Sequence, residues 1–180
     1  MKNISWIQFD GGPLLLAPRS RVRDWGGIGS GSGTPSDYDR ACAIEDEIGV
    51  ISISDRSAVV LGDEPDRTAL VGGGADDVFL IRWKYARSEQ SLVGALFADN
   101  LIRRLPYVPA GWIATDGEEY VLFSPAYDGS DIGPHLSVVL RAGRYFMGTA
   151  KFEPNSETSA VIHRLTNDNG TPTASRALGL

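Results

Sequence analysis

The stretch VISISDRSAVVLGD, residues 50–63, sets the fold class of this 180-residue chain. β-branched and small polar residues alternate along its first half, which is the pattern of a strand with one buried face. A polar tip at Asp55-Arg56-Ser57 separates that half from a second apolar run, residues 58–61. The stretch therefore predicts a β-hairpin, which is two antiparallel strands joined by a tight turn.

Three other stretches also show short apolar runs separated by turn residues. They predict two short strands around the Gly-Gly pair at 11–12, a hairpin that turns at the Asp-Gly pair 116–117, and another that turns at the Ala-Gly pair 142–143. Two further apolar runs, residues 78–86 and 158–165, predict single strands. The sheet is therefore expected to be mainly antiparallel and built from hairpins.

Two stretches have helical spacing. Thr34 is predicted to cap a helix over residues 35–47, with Pro35 in its first position and Gly49 after its end. Residues 88–105 predict a second helix that stops before a proline. The fold class is therefore α+β, with about two helices beside the sheet.

One domain is expected over residues 1–166, because the length suits a single core and no boundary interrupts the chain. Residues 167–180 are polar and predict a flexible C-terminal tail. The sequence has no apolar run long enough for a membrane span and no secretory signal at its start, so a cytoplasmic protein is expected. A single cysteine excludes an internal disulfide and a cysteine zinc cluster.

A glycine-rich loop at residues 26–36 raises the question of a phosphate site. Gly27, Gly29, Gly31 and Gly33 alternate, which fits neither the dinucleotide pattern nor a P-loop, and no Gly-Lys-Ser or Gly-Lys-Thr occurs in the chain. Acidic residues follow directly and would repel a phosphate. The loop is interpreted as a mobile connector.

No catalytic, metal or cofactor site is predicted, so the protein is not expected to be an enzyme. His135 and His163 are the only candidate bases near neutral pH, and neither belongs to a metal-binding pattern. Cys42 lies one helical turn after Tyr38 and is expected to be a buried structural thiol. The four tryptophans, Trp6, Trp25, Trp83 and Trp112, are interpreted as packing residues.

The charge is concentrated in one segment. Residues 37–77 contain eleven acidic and three basic residues, a net charge of −8 in a chain whose total is −6. Such a segment disfavours a nucleic-acid partner and favours a basic protein or a cation, unless its acids serve only solubility. The residues predicted to contact a partner are Glu45, Asp46, Glu47, Asp63, Glu64, Asp66, Asp76 and Asp77.

An ordered set of residues over about positions 4–85 resembles immunity protein 21, a family from bacterial polymorphic-toxin systems. The resemblance continues through the Gly62-Asp63-Glu64-Pro65 run and Trp83. Its remaining motif residues, which are expected to mark the fold or the interface, are Trp6, Gly11, Gly12, Pro13, Pro18, Trp25, Gly27, Tyr38 and Cys42.

The resemblance implies a protein that binds and neutralises a cognate toxin, and the acidic segment favours a basic toxin such as a nuclease. Two other classes stay open from the sequence. One is a small-ligand or cation-binding module that uses LGDEPD, residues 61–66, and the other is an enzyme of unrecognised type that uses His135 or His163.

Overall fold

The structure is a computed structural model that describes residues 4–30, 34–62, 66–72 and 76–168. Within these residues, nine strands form one antiparallel sheet in the order β1-β5-β6-β9-β8-β7-β2-β4-β3. The strands are β1 (Trp6–Ile7), β2 (Leu14–Pro18), β3 (Ile48–Ile53), β4 (Arg56–Leu61), β5 (Arg67–Gly72), β6 (Asp77–Tyr85), β7 (Val108–Phe123), β8 (Leu136–Asn155) and β9 (Thr158–Asn167). The helices are α1 (Asp37–Cys42), α2 (Glu89–Phe97) and α3 (Leu101–Arg104), with 3-10 turns at Arg19–Asp24, Gly27–Ser30 and Ala98–Asn100.

The antiparallel sheet is as predicted, and the helices are a minor part of the fold, so α+β describes it only loosely. The hairpin at residues 50–63 is confirmed as β3 and β4, but its predicted tip at residues 55–57 is wrong. Ile53 pairs with Arg56 across a two-residue turn, so Arg56 and Ser57 belong to β4. Ser54 takes a positive φ of 52° in that turn. The predicted short strands around residues 11–12 also exist, but β1 pairs with β5, whereas β2 pairs with β4 and β7.

The two hairpins predicted to turn at residues 116–117 and 142–143 are wrong, because both pairs lie inside one long hairpin of β7 and β8. Asp116 pairs with Ala142, and the chain reverses instead in the loop of residues 124–135. Gly117 and Gly143 have positive φ values of 89° and 138°. The glycines that suggested turns therefore bend two continuous strands sharply at one corner.

The bend folds the sheet onto itself. Ile7 of β1 and Ile48 of β3 stand at opposite ends of the strand order, yet they lie in the same buried cluster. In a flat sheet they would be roughly 38 Å apart, at about 4.8 Å per strand. The long β7–β8 hairpin runs through both halves of the folded sheet, as strands do at the corners of orthogonally packed sheets.

Helical segments cover the outer faces of the two halves. Leu92 and Leu96 of α2 and Ile102 of α3 pack on β5, β6 and β9. On the other half, Trp25 and Ala41 pack against β2, β4 and the end of β7. The second predicted helix is interrupted, because Asp99 and Asn100 take left-handed backbone angles between α2 and α3.

The first helix is shorter than predicted. Its cap is Ser36, which forms a reciprocal pair of hydrogen bonds with Asp39, and the helix ends at Cys42. Gly49 belongs to β3. Residues 26–30 of the predicted mobile connector are held by hydrogen bonds, since the Gly26 N–H donates to Asp37 and the Ser30 hydroxyl to the Gly27 carbonyl.

The prediction that Cys42 is buried is wrong, because the thiol is exposed at the last position of α1. The helix buries Ala41 instead, so the face was assigned one residue out of place. We expect native Cys42 to react with a thiol reagent as fast as in urea. We expect Cys42→Ser to change the free energy of unfolding by less than about 0.5 kcal/mol. Slow labelling that urea accelerates would contradict this placement.

The predicted tail begins inside the last strand. Asn167 ends β9, is buried, and pairs with Tyr145 of β8. The Asp168 N–H donates to the Arg144 carbonyl. Residues 169–180 lie outside the described residues.

Candidate functional site

An open groove lies where the free edge of β3 approaches the first part of β7. It has two lobes of about 690 Å³ and 600 Å³, and Ile48 and Ala110 line both. The volumes are within the range of about 300–1,000 Å³ typical of binding clefts. We call this feature the β3–β7 groove. It is lined by residues 43–50 on one side and, on the other, by Pro106, residues 108–112 and residues 149–151.

One wall of the groove is acidic. Glu45, Asp46 and Glu47 are all exposed in the connection between α1 and β3. This connection is fixed to the end of β4, because the Gly62 N–H donates to the Glu47 carbonyl at 3.1 Å. A Cβ at Gly62 would lie 2.7 Å from the Asp46 carbonyl oxygen, so only glycine allows this approach. The backbone that carries three adjacent carboxylates is therefore held in place at the mouth of the groove.

The opposite wall carries exposed apolar side chains. Trp112 is 52% exposed and Val108 is 67% exposed. The guanidinium of Arg144 lies 3.4 Å from the centre of the Trp112 ring, which holds the indole in place. Phe146 is also partly exposed and pairs with Trp112 across the strands. Exposed aromatic residues on a rigid strand are typical anchors of protein interfaces.

Sequence reasoning missed Trp112, which it assigned to packing with the other tryptophans. The alternation of side chains along the strand could have predicted that Trp112 is exposed. Trp112 and Ile113 are consecutive residues of β7 and so point to opposite faces. Ile113 is buried in the inner core, so Trp112 faces outward, where only a covering layer could bury it.

Three of the other predicted contact acids, Asp66, Asp76 and Asp77, do not line the groove. Asp66 forms an ion pair with Lys84 at 2.8 Å, and Asp76 is 62% exposed and lies 3.8 Å from Arg141. Asp77 is buried and acts in the structure itself: its carboxylate contacts Arg164 at 2.9 Å and Arg103 at 3.2 Å. Asp63 and Glu64 lie outside the described residues. Of the six predicted acids that the structure describes, it brings together three at the groove, namely those at residues 45–47.

Four of the motif residues, Gly12, Trp25, Gly27 and Tyr38, surround the helical layer on the outer face of β2. The Trp25 indole N–H donates to the Pro125 carbonyl at 2.8 Å. Gly27 has a φ of 58°, and a Cβ there would lie 2.5 Å from the Tyr127 carbonyl oxygen. A Cβ at Gly12 would lie 2.9 Å from the Tyr38 hydroxyl. These residues fix the packing of α1 and of the segment around residues 25–27 on the sheet, and none of them lines the groove.

The remaining motif residues are dispersed. Gly11 and Pro13 lie in the connection between β1 and β2, and Pro13 is buried. Trp6 lies on the far edge of the sheet, where it meets Trp83 edge-to-face at 5.6 Å beneath Arg67. Cys42 is exposed on α1. The motif is therefore explained mainly by the fold.

Among the described residues, neither histidine has a carboxylate as a hydrogen-bond partner. His163 is fully buried, and its Nδ1 lies 2.8 Å from the Thr149 hydroxyl. Burial, together with the nearby charge of Arg82, lowers the pKa of His163 to about 3. His135 is exposed, and its Nδ1 lies 2.9 Å from the Gly133 carbonyl oxygen. In the described residues no three His, Cys, Asp or Glu side chains are arranged to hold a metal ion.

A family model described as immunity protein 21 matches residues 5–158. The chain belongs to the immunity protein 21 family. The match extends well beyond residue 85 and includes both walls of the β3–β7 groove of this family member. No curated protein and no solved structure matches the chain. None of the helices in the described ranges is long and apolar enough to cross a membrane.

Proposed function

We propose that this member of the immunity protein 21 family binds a basic cognate toxin through the β3–β7 groove and thereby keeps the toxin inactive. The observation that supports this most strongly is the juxtaposition of three exposed carboxylates, residues 45–47, with the exposed Trp112 across the groove. Neutralisation by binding requires no catalytic step. It also fits the expectation of a cytoplasmic inhibitor with no nucleic-acid ligand.

The two walls would contribute differently to binding. Exposed carboxylates raise the rate of encounter with a basic surface and disfavour acidic partners, and salt screens this effect. A partly exposed indole that becomes fully buried in a complex supplies affinity through apolar contact. A nuclease toxin is a suitable partner, because a surface that binds phosphate groups is itself basic.

Charge reversal tests the acidic wall. Glu45→Lys together with Glu47→Lys should lower the association rate with the toxin by about tenfold at low salt, and by less at high salt. The toxin to use is the product of the reading frame beside the gene, in a catalytically inactive form. Surface plasmon resonance at two ionic strengths measures both effects.

The matched control makes the same change of charge outside the groove. Asp10→Lys together with Glu157→Lys alters two exposed acids that do not line it. We expect this variant to bind nearly as the wild type does. If the groove variant and the control variant have equal association rates and equal salt dependence, the acidic wall does not contact the toxin.

A further inference from the structure

We propose that the toxin is bound by strand addition: an extended, cationic segment of the toxin pairs with the free edge of β3 at Val50. This inference rests on the proposed function and specifies how the groove would be occupied. It predicts that backbone hydrogen bonds, and not only side-chain contacts, hold the complex together.

The register of β3 shows which of its backbone groups point outward. Glu47 accepts a hydrogen bond from Gly62, and residues 53 and 56 flank the two-residue turn of the hairpin. Hydrogen-bonded pairs alternate with non-bonded pairs along an antiparallel ladder. The backbone N–H and C=O groups of residues 47, 49, 51 and 53 therefore point toward β4. The N–H and C=O of Val50 therefore point away from β4, toward the groove.

The Arg40 side chain supports this assignment independently. Its guanidinium donates to the Ser52 carbonyl at 2.7 Å from the side opposite β4. Ser52 and Val50 are two residues apart and so present their backbone groups to the same side. Arg40 covers the edge at Ser52, and Ile48 approaches Ala110 of β7 at the other end. Among the described residues, no hydrogen bond reaches the outward groups of Val50 between them.

The facing edge of β7 is protected against strand addition, whereas β3 is not. Pro109 has no N–H to offer, and the pairing of β7 with β8 shifts register between Pro109 and Gly111. Prolines and bulges of this kind are common devices that prevent an edge strand from pairing with another chain. Val50 carries no such device and is 39% exposed. The unprotected position lies within the candidate site.

The surroundings of Val50 define the chemistry of the segment that fits. Glu45, Asp46 and Trp112 line the same lobe of the groove as Val50. Side chains of an added strand alternate between two sides, so basic side chains can meet the carboxylates while apolar ones pack on the indole. A short toxin segment is enough to pair with β3. The opposite edge of this sheet already pairs with a strand, β1, that is only two residues long.

A proline at Val50 tests the inference. Val50→Pro removes an N–H that points into the groove, and it leaves the hydrogen bonds between β3 and β4 intact. We expect Val50→Pro to bind the toxin at least about tenfold more weakly than the matched variant Val50→Ala, which also changes the side chain but keeps the N–H. Circular dichroism checks that both variants are folded. Equal affinity of the two variants would overturn strand addition.

Hydrogen exchange gives a second test on the wild-type protein, in case the proline variant does not fold. The Val50 amide should exchange freely in the free protein and become at least about tenfold more protected in the complex. Unchanged exchange in a saturated complex would overturn strand addition while leaving the proposed function intact. Failure of the wild type to bind the toxin at all would instead remove the proposed function.

Discussion

Asp77→Ala should lower the free energy of unfolding by about 3 kcal/mol, because removing one member of a buried ionic cluster leaves the other charges uncompensated. The Asp77 carboxylate is 4% exposed and is contacted by Arg164, Arg103 and the Thr166 hydroxyl, which donates at 3.0 Å. The cluster joins β6, β9 and α3. In a chain of this size the change corresponds to a melting temperature roughly 6–12 °C lower.

The neighbouring Asp76 provides the control. Asp76 is 62% exposed and lies 3.8 Å from Arg141, so Asp76→Ala should change stability by less than about 1 kcal/mol. Urea unfolding of the two variants side by side measures the difference. Equal midpoints would show that the cluster at Asp77 does not stabilise the fold, and Asp77 would return to the set of candidate contact residues.

A second large effect is a loss of stability in acid that depends on His163. The imidazole is unprotonated in the folded protein, since its pKa of about 3 is well below the usual value of 6.5. The unfolded chain binds a proton there as the pH falls below about 6.5, and the folded protein does not until about pH 3. The contribution of the neutral His163 ring to the free energy of unfolding is therefore fully present above pH 6.5 and is lost as the pH falls. The expected loss is about 2 kcal/mol between about pH 7 and pH 5.

Carboxylates also contribute to acid unfolding, so the informative measurement is a difference between variants. His163→Gln keeps a hydrogen-bonding group near Thr149 but cannot titrate, and its stability should fall less between these two pH values. His135→Gln, which changes an exposed ring, should retain the wild-type pH dependence. If the His163 and His135 variants lose equal stability between the two pH values, the buried ring is not the acid-sensitive group.

The antiparallel class was predictable because strand alternation is local and visible in the sequence. The pairing of the strands was not, because it depends on residues far apart in the chain. The glycines after Asp116 and Ala142 both have a positive φ. A positive φ occurs in a tight turn and also in a bend within a strand, so the glycine alone does not distinguish the two. Only the partner strand distinguishes them. In this chain β7 and β8 continue past both glycines and remain paired.

The candidate site was predictable in part for a related reason. A run of acids is visible in the sequence, and residues 45–47 do line the groove. Whether an acid is neutralised depends on bases elsewhere, such as Arg103 and Arg164 beside Asp77. The exposure of Trp112 depends on which face of β7 the helices leave uncovered. The neutralisation of an acid and the exposure of Trp112 both depend on tertiary structure, so the composition of the sequence does not reveal them.

The position of β2 between β4 and β7 determines how early the sheet around β2 can assemble during translation. Leu15 of β2 is fully buried and pairs with Phe123 of β7. At about 5–20 residues per second, the ribosome needs roughly 5–20 s to reach the second residue after the first. Until then β2 lacks one of its neighbours, and residues 149–151 of the groove wall are synthesised later still. A nascent chain therefore gains its core and its binding surface together, late in its synthesis.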